Sequence, residues 1–193
     1  MPKFLIITPT YPGRSKKLES AVASVQSQIF RDFDHLVIGD GPTPEAKIIC
    51  EKYGARYAEM PERSGNWGYR CRNYALEHCE ADRVLFLDDD NVLLPNCLRD
   101  INSLCLCSDP PIIIHKVIFF NKWTGQWIVM PNAMPPAKAY IDMLNFCVRS
   151  DIAKSARFRQ DAQHELDWFY IQDCIENAGG QYEILDEIVA VYF

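Results

Sequence analysis

The chain is poor in the features that identify several common protein classes. No apolar run approaches the ~20 residues of a membrane span, and no internal repeat or low-complexity linker breaks the 193 residues. No GxGxxG follows the first apolar run, which argues against a dinucleotide-binding oxidoreductase. Positive charge is scarce: 20 Lys and Arg face 26 Asp and Glu, for a net charge of −6. A nucleic-acid backbone is therefore not expected as a partner. The eight cysteines, Cys50, Cys71, Cys79, Cys97, Cys105, Cys107, Cys147 and Cys174, include no CxxC pair. They read as reduced, mostly buried thiols. Cys105-Leu106-Cys107 has no second pair and is a poor zinc site. Residues 1–10 read as a strand and a loop rather than a secretory leader, so the cytoplasm is the expected compartment.

What the chain does have is a core and a cluster of acids. Hydrophobic residues are 48% and charged residues 24%, an ordinary globular balance for a single domain. Strands over 3–8, 33–38, 55–59 and 83–87 alternate with helices over 15–28, 43–53, 66–79 and 95–106. Ser15 and Thr43 are the expected caps. This order predicts a mostly parallel, doubly wound α/β sheet. Near residue 108 the pattern changes. A hairpin is expected over 112–120 and 126–130, with a loop over 131–136 and a strand over 143–148. A short helix over 151–156 follows, then a helix over 163–178 ended by Gly179-Gly180, and one or two strands over 182–192.

The acids are Asp88, Asp89 and Asp90, directly after Val84-Leu85-Phe86-Leu87. A buried strand ending in adjacent carboxylates places like charges together where an open sheet binds ligands. A divalent cation would relieve the repulsion and create a phosphate site. A calcium loop of the EF-hand type is excluded: its sixth position needs Gly and holds Leu93. Lys3, Arg14, Lys16, Lys17, Arg63, Arg70 and Arg72 supply local positive charge from about the N-terminal third of the chain.

Five segments, in order, resemble the family 2 glycosyltransferases of GT-A fold. Ile7-Thr8-Pro9-Thr10-Tyr11 is similar to the family's first strand and base-binding loop. Val37-Ile38-Gly39-Asp40-Gly41-Pro42-Thr43 resembles its Asp-Asp-Gly turn, with Gly39 in place of the first acid. Asn66-Trp67-Gly68-Tyr69-Arg70-Cys71-Arg72-Asn73 resembles the segment bordering the diphosphate. Asp88-Asp89-Asp90 with Leu93-Leu94-Pro95 resembles the DxD element. Glu165-Leu166-Asp167-Trp168 resembles the element carrying the catalytic base, with Leu166 where an acid is usual.

The resemblance implies one GT-A domain over 1–193. Residues 1–107 would bind a nucleotide-sugar, with UDP the favoured base, and 108–193 the acceptor. Thr8, Pro9, Tyr11, Arg14, Asp40, Arg70, Arg72, Asp88 and Asp89 would contact the donor. Asp88 and Asp90 would hold Mn²⁺ or Mg²⁺. Asp167 would be the base, with Glu165 in reserve, in an inverting single displacement onto a glycan, lipid-linked or small-molecule hydroxyl. Trp123, Trp127, Met130, Tyr140 and Trp168 are candidates for stacking on the acceptor, and Asp142 and His115 are left unassigned. Two rivals remain: a nucleotide-sugar-binding domain without catalysis, and a sugar nucleotidyltransferase. The second would open on a Gly-rich phosphate loop that Thr8-Pro9-Thr10-Tyr11-Pro12-Gly13-Arg14 lacks.

Overall fold

A computed structural model describes residues 2–131, 135–138, 140–160 and 165–193. The first half alternates strand and helix: β1 (Phe4–Thr10), α1 (Ser15–Gln26), β2 (Phe33–Gly39), α2 (Pro44–Tyr53), β3 (Arg56–Glu59), α3 (Tyr69–Glu77) and β4 (Arg83–Phe86). A two-residue strand, β5 (Val92–Leu93), leads into α4 (Cys97–Cys107). The hairpin β6 (Ile112–Asn121) and β7 (Gln126–Met130) follows. Then come β8 (Phe146–Arg149), α5 (Ser150–Ser155), α6 (Leu166–Asn177) and β9 (Glu183–Tyr192).

Among the described residues, nine strands form one sheet in the order β3-β2-β1-β4-β8-β6-β9-β5, with β7 paired to β6. The parallel order expected from the sequence holds from β3 through β4. Beyond β4 the sheet is mixed. The strand β8 enters antiparallel between β4 and β6, while β6 and β9 run parallel.

Both faces of the sheet are covered, so the central strands are apolar on both sides. On one face Leu5, Ile7, Val84 and Phe86 pack with Ala75, Ile152 and Tyr170, from α3, α5 and α6. On the other, Phe4, Ile6, Leu85 and Leu87 meet Ala21, Val25, Leu98 and Ile101 of α1 and α4.

Several boundaries differ from the expectation. Ser15 is the first helical residue of α1, and Arg14 takes the cap position without a side-chain cap bond. The Thr43 hydroxyl donates to the Gly41 carbonyl at 3.0 Å rather than capping α2. The helix expected over 66–79 is broken: Trp67 and Gly68 take left-handed backbone angles (φ 57° and 72°), and α3 starts at Tyr69. Residues 143–145 form a 3-10 turn before β8. Residues 132–134 of the expected loop and 163–164 of the last expected helix lie outside the described residues.

Candidate functional site

The loops that follow β1, β2 and β4 meet at one end of the sheet and line a cleft of about 620 Å³. The far wall comes from the second half of the chain, through Asp142, Leu166, Asp167 and Tyr192. The strand β4 carries Asp88, Asp89 and Asp90 to the cleft because its buried run ends where the layer of helices stops covering it.

Each acid of the triplet already holds a cation. Arg72, almost fully buried, donates Nη2 to Asp88 Oδ1 at 2.5 Å. Its Nη1 donates to the Trp67 carbonyl, and its guanidinium lies 5.5 Å from the Phe158 ring. Arg14 forks onto Asp89, with Nε and Nη2 at 3.0 and 2.6 Å from Oδ1, and Nη2 also reaches Asp90 Oδ2 at 2.7 Å. Lys17 adds a contact of 3.1 Å to the same Asp90 oxygen. Burial alone would push the Asp90 carboxyl up. The hydrogen bonds from Arg14 and Lys17 outweigh it and hold the group below its ordinary range.

Across the cleft, two carboxylates are shifted the other way. Withdrawal from water is the main cause for both. Asp142 is pushed up to about 7 by burial, then by the charges of Asp167 and Asp88. Asp167 is pushed up to about 6 by burial, with the charge of Arg72 pulling back and that of Asp88 adding. The Leu144 N–H donates to Asp142 at 2.9 Å, and the nearby Met143 amide draws the Asp167 carboxyl slightly back down. Asp167 also sits in the first turn of α6, where the helix N-terminus favours an anion.

Of the expected donor residues, the cleft gathers Pro9, Tyr11, Arg14, Asp40, Arg72, Asp88 and Asp89, together with Asp90 and Asp167. Asp40 has a structural task as well: it accepts from the Ser64 N–H and hydroxyl at 2.9 and 2.8 Å and from the Gly65 N–H at 2.7 Å, which staples the neighbouring loop. Gly39 stands where the family has an acid because a Cβ there would lie 2.8 Å from both the Gly41 carbonyl and the Tyr57 hydroxyl.

Two expected donor residues fall elsewhere. Thr8 lies inside β1, fully buried, and shares a hydrogen bond of 2.9 Å with His35. Arg70 points outward from α3 toward Glu62, 3.9 Å away, and does not line the cleft. Glu165 pairs with Lys138 outside the cleft, leaving Asp167 as the acid inside it. The expected acceptor aromatics do not line the cleft either. Trp123 at the hairpin tip is 98% exposed, and Trp127 packs edge-on against Phe120.

The structure adds contacts that sequence reasoning did not supply. Thr10 donates its hydroxyl to Asp89 Oδ2 at 2.7 Å. Arg63 covers the Tyr11 ring at 4.6 Å, with Arg14 also near that ring at 5.2 Å. Asp142, a lone acid between apolar neighbours, becomes recognisable only once the fold places it opposite Asp88.

The acids present fit a hard divalent cation. Mg²⁺ takes one or two carboxylates together with substrate phosphates and waters, and Mn²⁺ suits the same oxygen donors. Among the described residues no group of three His, Cys, Asp or Glu is arranged to hold a metal alone. Asp88 and Asp90 would therefore share the ion with phosphate oxygens.

Comparison with known proteins identifies the family and the fold. The family model described as glycosyl transferase family 2 matches residues 5–166. A GalNAc(5)-diNAcBac-PP-undecaprenol beta-1,3-glucosyltransferase of Campylobacter jejuni is 32% identical over 109 residues, covering 51% of this chain and 33% of that protein. Poly(ribitol-phosphate) beta-N-acetylglucosaminyltransferase TarS of Staphylococcus aureus is 32% identical over 106 residues, covering 52% of this chain and 18% of that one. The structure of S. aureus TarS in complex with UDP superimposes with a TM-score of 0.82 at 21% identity, over 98% of this chain and 60% of that one. TarS has also been solved with UDP-GlcNAc. The mannosyltransferase PcManGT of Pyrobaculum calidifontis, in complex with GDP-Man and Mn²⁺, gives 0.68 at 14% identity, over 99% of this chain and 56% of that one. The fold is that of these enzymes. The chain spans a third or less of the length of the two curated relatives. Among the described residues, no helix is long and apolar enough to cross a membrane.

Proposed function

Because this chain belongs to glycosyl transferase family 2, we propose that it moves a sugar from a nucleotide-sugar to an acceptor hydroxyl by an inverting single displacement. One observation carries the reading. The phosphate-side acids Asp88 and Asp90 and the raised carboxyl of Asp167 enter a single cleft from opposite halves of the chain.

In this reading residues 1–107 bind the donor and 108–193 the acceptor. Tyr11 would offer its ring to the base, and Arg14 and Arg63, which lie over that ring, would supply positive charge to the diphosphate. UDP is the favoured base, since TarS, which shares the fold, has been solved with UDP and UDP-GlcNAc. Asp88 and Asp90 would hold Mn²⁺ or Mg²⁺, which when bound neutralises charge on the leaving diphosphate. Arg14 and Arg72 contribute positive charge to the same leaving group. Asp167 takes the acceptor proton as the acceptor oxygen forms its bond to the anomeric carbon and the bond to the diphosphate breaks. With a pKa of about 6, Asp167 is ionised at neutral pH yet basic enough to accept a proton. The acceptor is a glycan, lipid-linked or small-molecule hydroxyl. The cytoplasm suits the eight free thiols, of which Cys107 alone is exposed.

Calorimetry with a panel of sugar nucleotides, with and without Mn²⁺, tests this on the wild type and Asp90→Ala. Metal-dependent binding of one sugar nucleotide, lost in the variant, is the expected result and names the donor. If no sugar nucleotide binds with the metal present, the reading is wrong.

A further inference from the structure

We propose that Arg14 is a shuttle between the acids and the donor. It pairs with Asp89 and Asp90 before the donor enters and turns its outer edge onto the diphosphate when the donor binds. The inference rests on the nucleotide-sugar reading and extends it to the order in which charges exchange.

The contacts divide Arg14 into an anchored edge and a free one. Nε and Nη2 hold Asp89 at 2.6–3.2 Å. Asp89 is itself buried and fixed from behind by the Thr10 hydroxyl at 2.7 Å. Its carboxylate is thus committed to Arg14, which makes Asp89 a positioning residue rather than a donor contact. Nη1 has no hydrogen bond among the described residues, and the guanidinium lies near the face of Tyr11 at the cleft wall. A forked cation held along one edge and open along the other suits a phosphate oxygen pair.

The Asp90 contact is the one that must yield. Its Oδ2 already receives Arg14 at 2.7 Å and Lys17 at 3.1 Å. A divalent cation arriving at that oxygen would face two positive charges at contact distance, a repulsion felt strongly in a partly buried site. Metal and Arg14 therefore exclude each other at Asp90. Arg14, Lys17 and Arg72 already balance the three carboxylates of this corner. A diphosphate changes this balance: it offers Arg14 a new anionic partner and releases Asp90 for the metal. Metal alone should then bind weakly, and nucleoside diphosphate alone should bind measurably.

Two titrations test the shuttle on wild type, Arg14→Gln and Arg14→Lys. The first follows free Mn²⁺ by electron paramagnetic resonance with no nucleotide present. The second measures UDP and GDP binding by calorimetry in EDTA. Losing the forked contact should weaken nucleoside diphosphate in EDTA by about tenfold in Arg14→Gln. The same variant should bind Mn²⁺ alone several-fold more tightly. Arg14→Lys keeps the charge without the fork, so it should still repel Mn²⁺ while losing diphosphate affinity. If Arg14→Gln matches the wild type in both titrations, or binds Mn²⁺ more weakly, the shuttle is wrong and the donor reading stands. If the wild type binds neither UDP nor GDP even with Mn²⁺, both fall together.

Discussion

Asp167 and Asp142 line the same wall of the cleft, and their environments set different tasks. As the proposed base, Asp167 must be ionised to accept a proton, so kcat/KM should rise with pH through about 6 and then level off. Asp167→Asn should lower kcat by about 10²–10⁴-fold while leaving donor affinity within about twofold, because the donor acids lie across the cleft. A loss of donor binding equal to the loss of rate would remove Asp167 from the role of base. Asp142 bears on stability. Its folded pKa, about 7, lies above the ordinary carboxylate value. A group raised in this way favours folding most below its unfolded pKa, and that contribution is lost as pH rises through about 7. Asp142→Asn keeps an acceptor for the Leu144 N–H and removes the buried charge. The variant should gain on the order of 1–2 kcal/mol over wild type at pH 8 and much less at pH 5. Thermal melts at the two pH values check this, and an equal effect at both would refute it.

At the scale of elements, three rings support the wall that carries Asp88. Phe158 stacks on Tyr170 with centroids 3.8 Å apart, and Phe86 of β4 meets both edge-on at 5.4 and 5.6 Å. Arg72 rests against Phe158, so the ring that α6 braces also braces the cation on Asp88. Phe158→Ala should cost about 3–5 kcal/mol by emptying this stack, and should weaken nucleotide binding through the loosened Arg72. Tyr170→Phe removes only the hydroxyl bond to the Ala153 carbonyl (3.0 Å) and should cost about 1 kcal/mol. Urea unfolding of both variants separates the two magnitudes, and similar costs would mean the rings do not act as a stack. The same elements show what the sequence could reveal. The strands β1, β2 and β4 are legible because burial on both faces demands unbroken apolar runs, and the acids are legible because they interrupt one. The two-residue β5 and the position of β8 are not, since each is set by a partner far along the chain. Asp142 was illegible for that reason: its burial depends on β8 lying against β4. Thr8 and Arg70 matched a motif by position, but strand depth and helix face turned them away from the cleft.

For the molecule as a whole, the cleft is also a seam. Residues 1–107 and 108–193 are joined across it by the antiparallel pairing of β4 with β8 and by β5 with β9. The acids Asp88 and Asp90 face Asp142 and Asp167 over the gap. Like charges on both walls oppose closure, and Arg72 sits among Asp88, Asp142 and Asp167 to offset them. A ligand that brings a metal and a diphosphate into the seam changes that balance for both halves, so it should stabilise the whole fold rather than one loop. At a hundred times its Kd, such a ligand adds about 2.7 kcal/mol. For a chain of this length that corresponds to a rise in Tm of roughly 5–10 °C. The rise with UDP and Mn²⁺ together should exceed that with UDP in EDTA, and Asp90→Ala should reduce the first to the second. Differential scanning calorimetry gives both numbers. A single cooperative transition moving as one unit is the expected form. Two transitions, of which only one shifts, would mean the halves melt separately and the seam does not couple them.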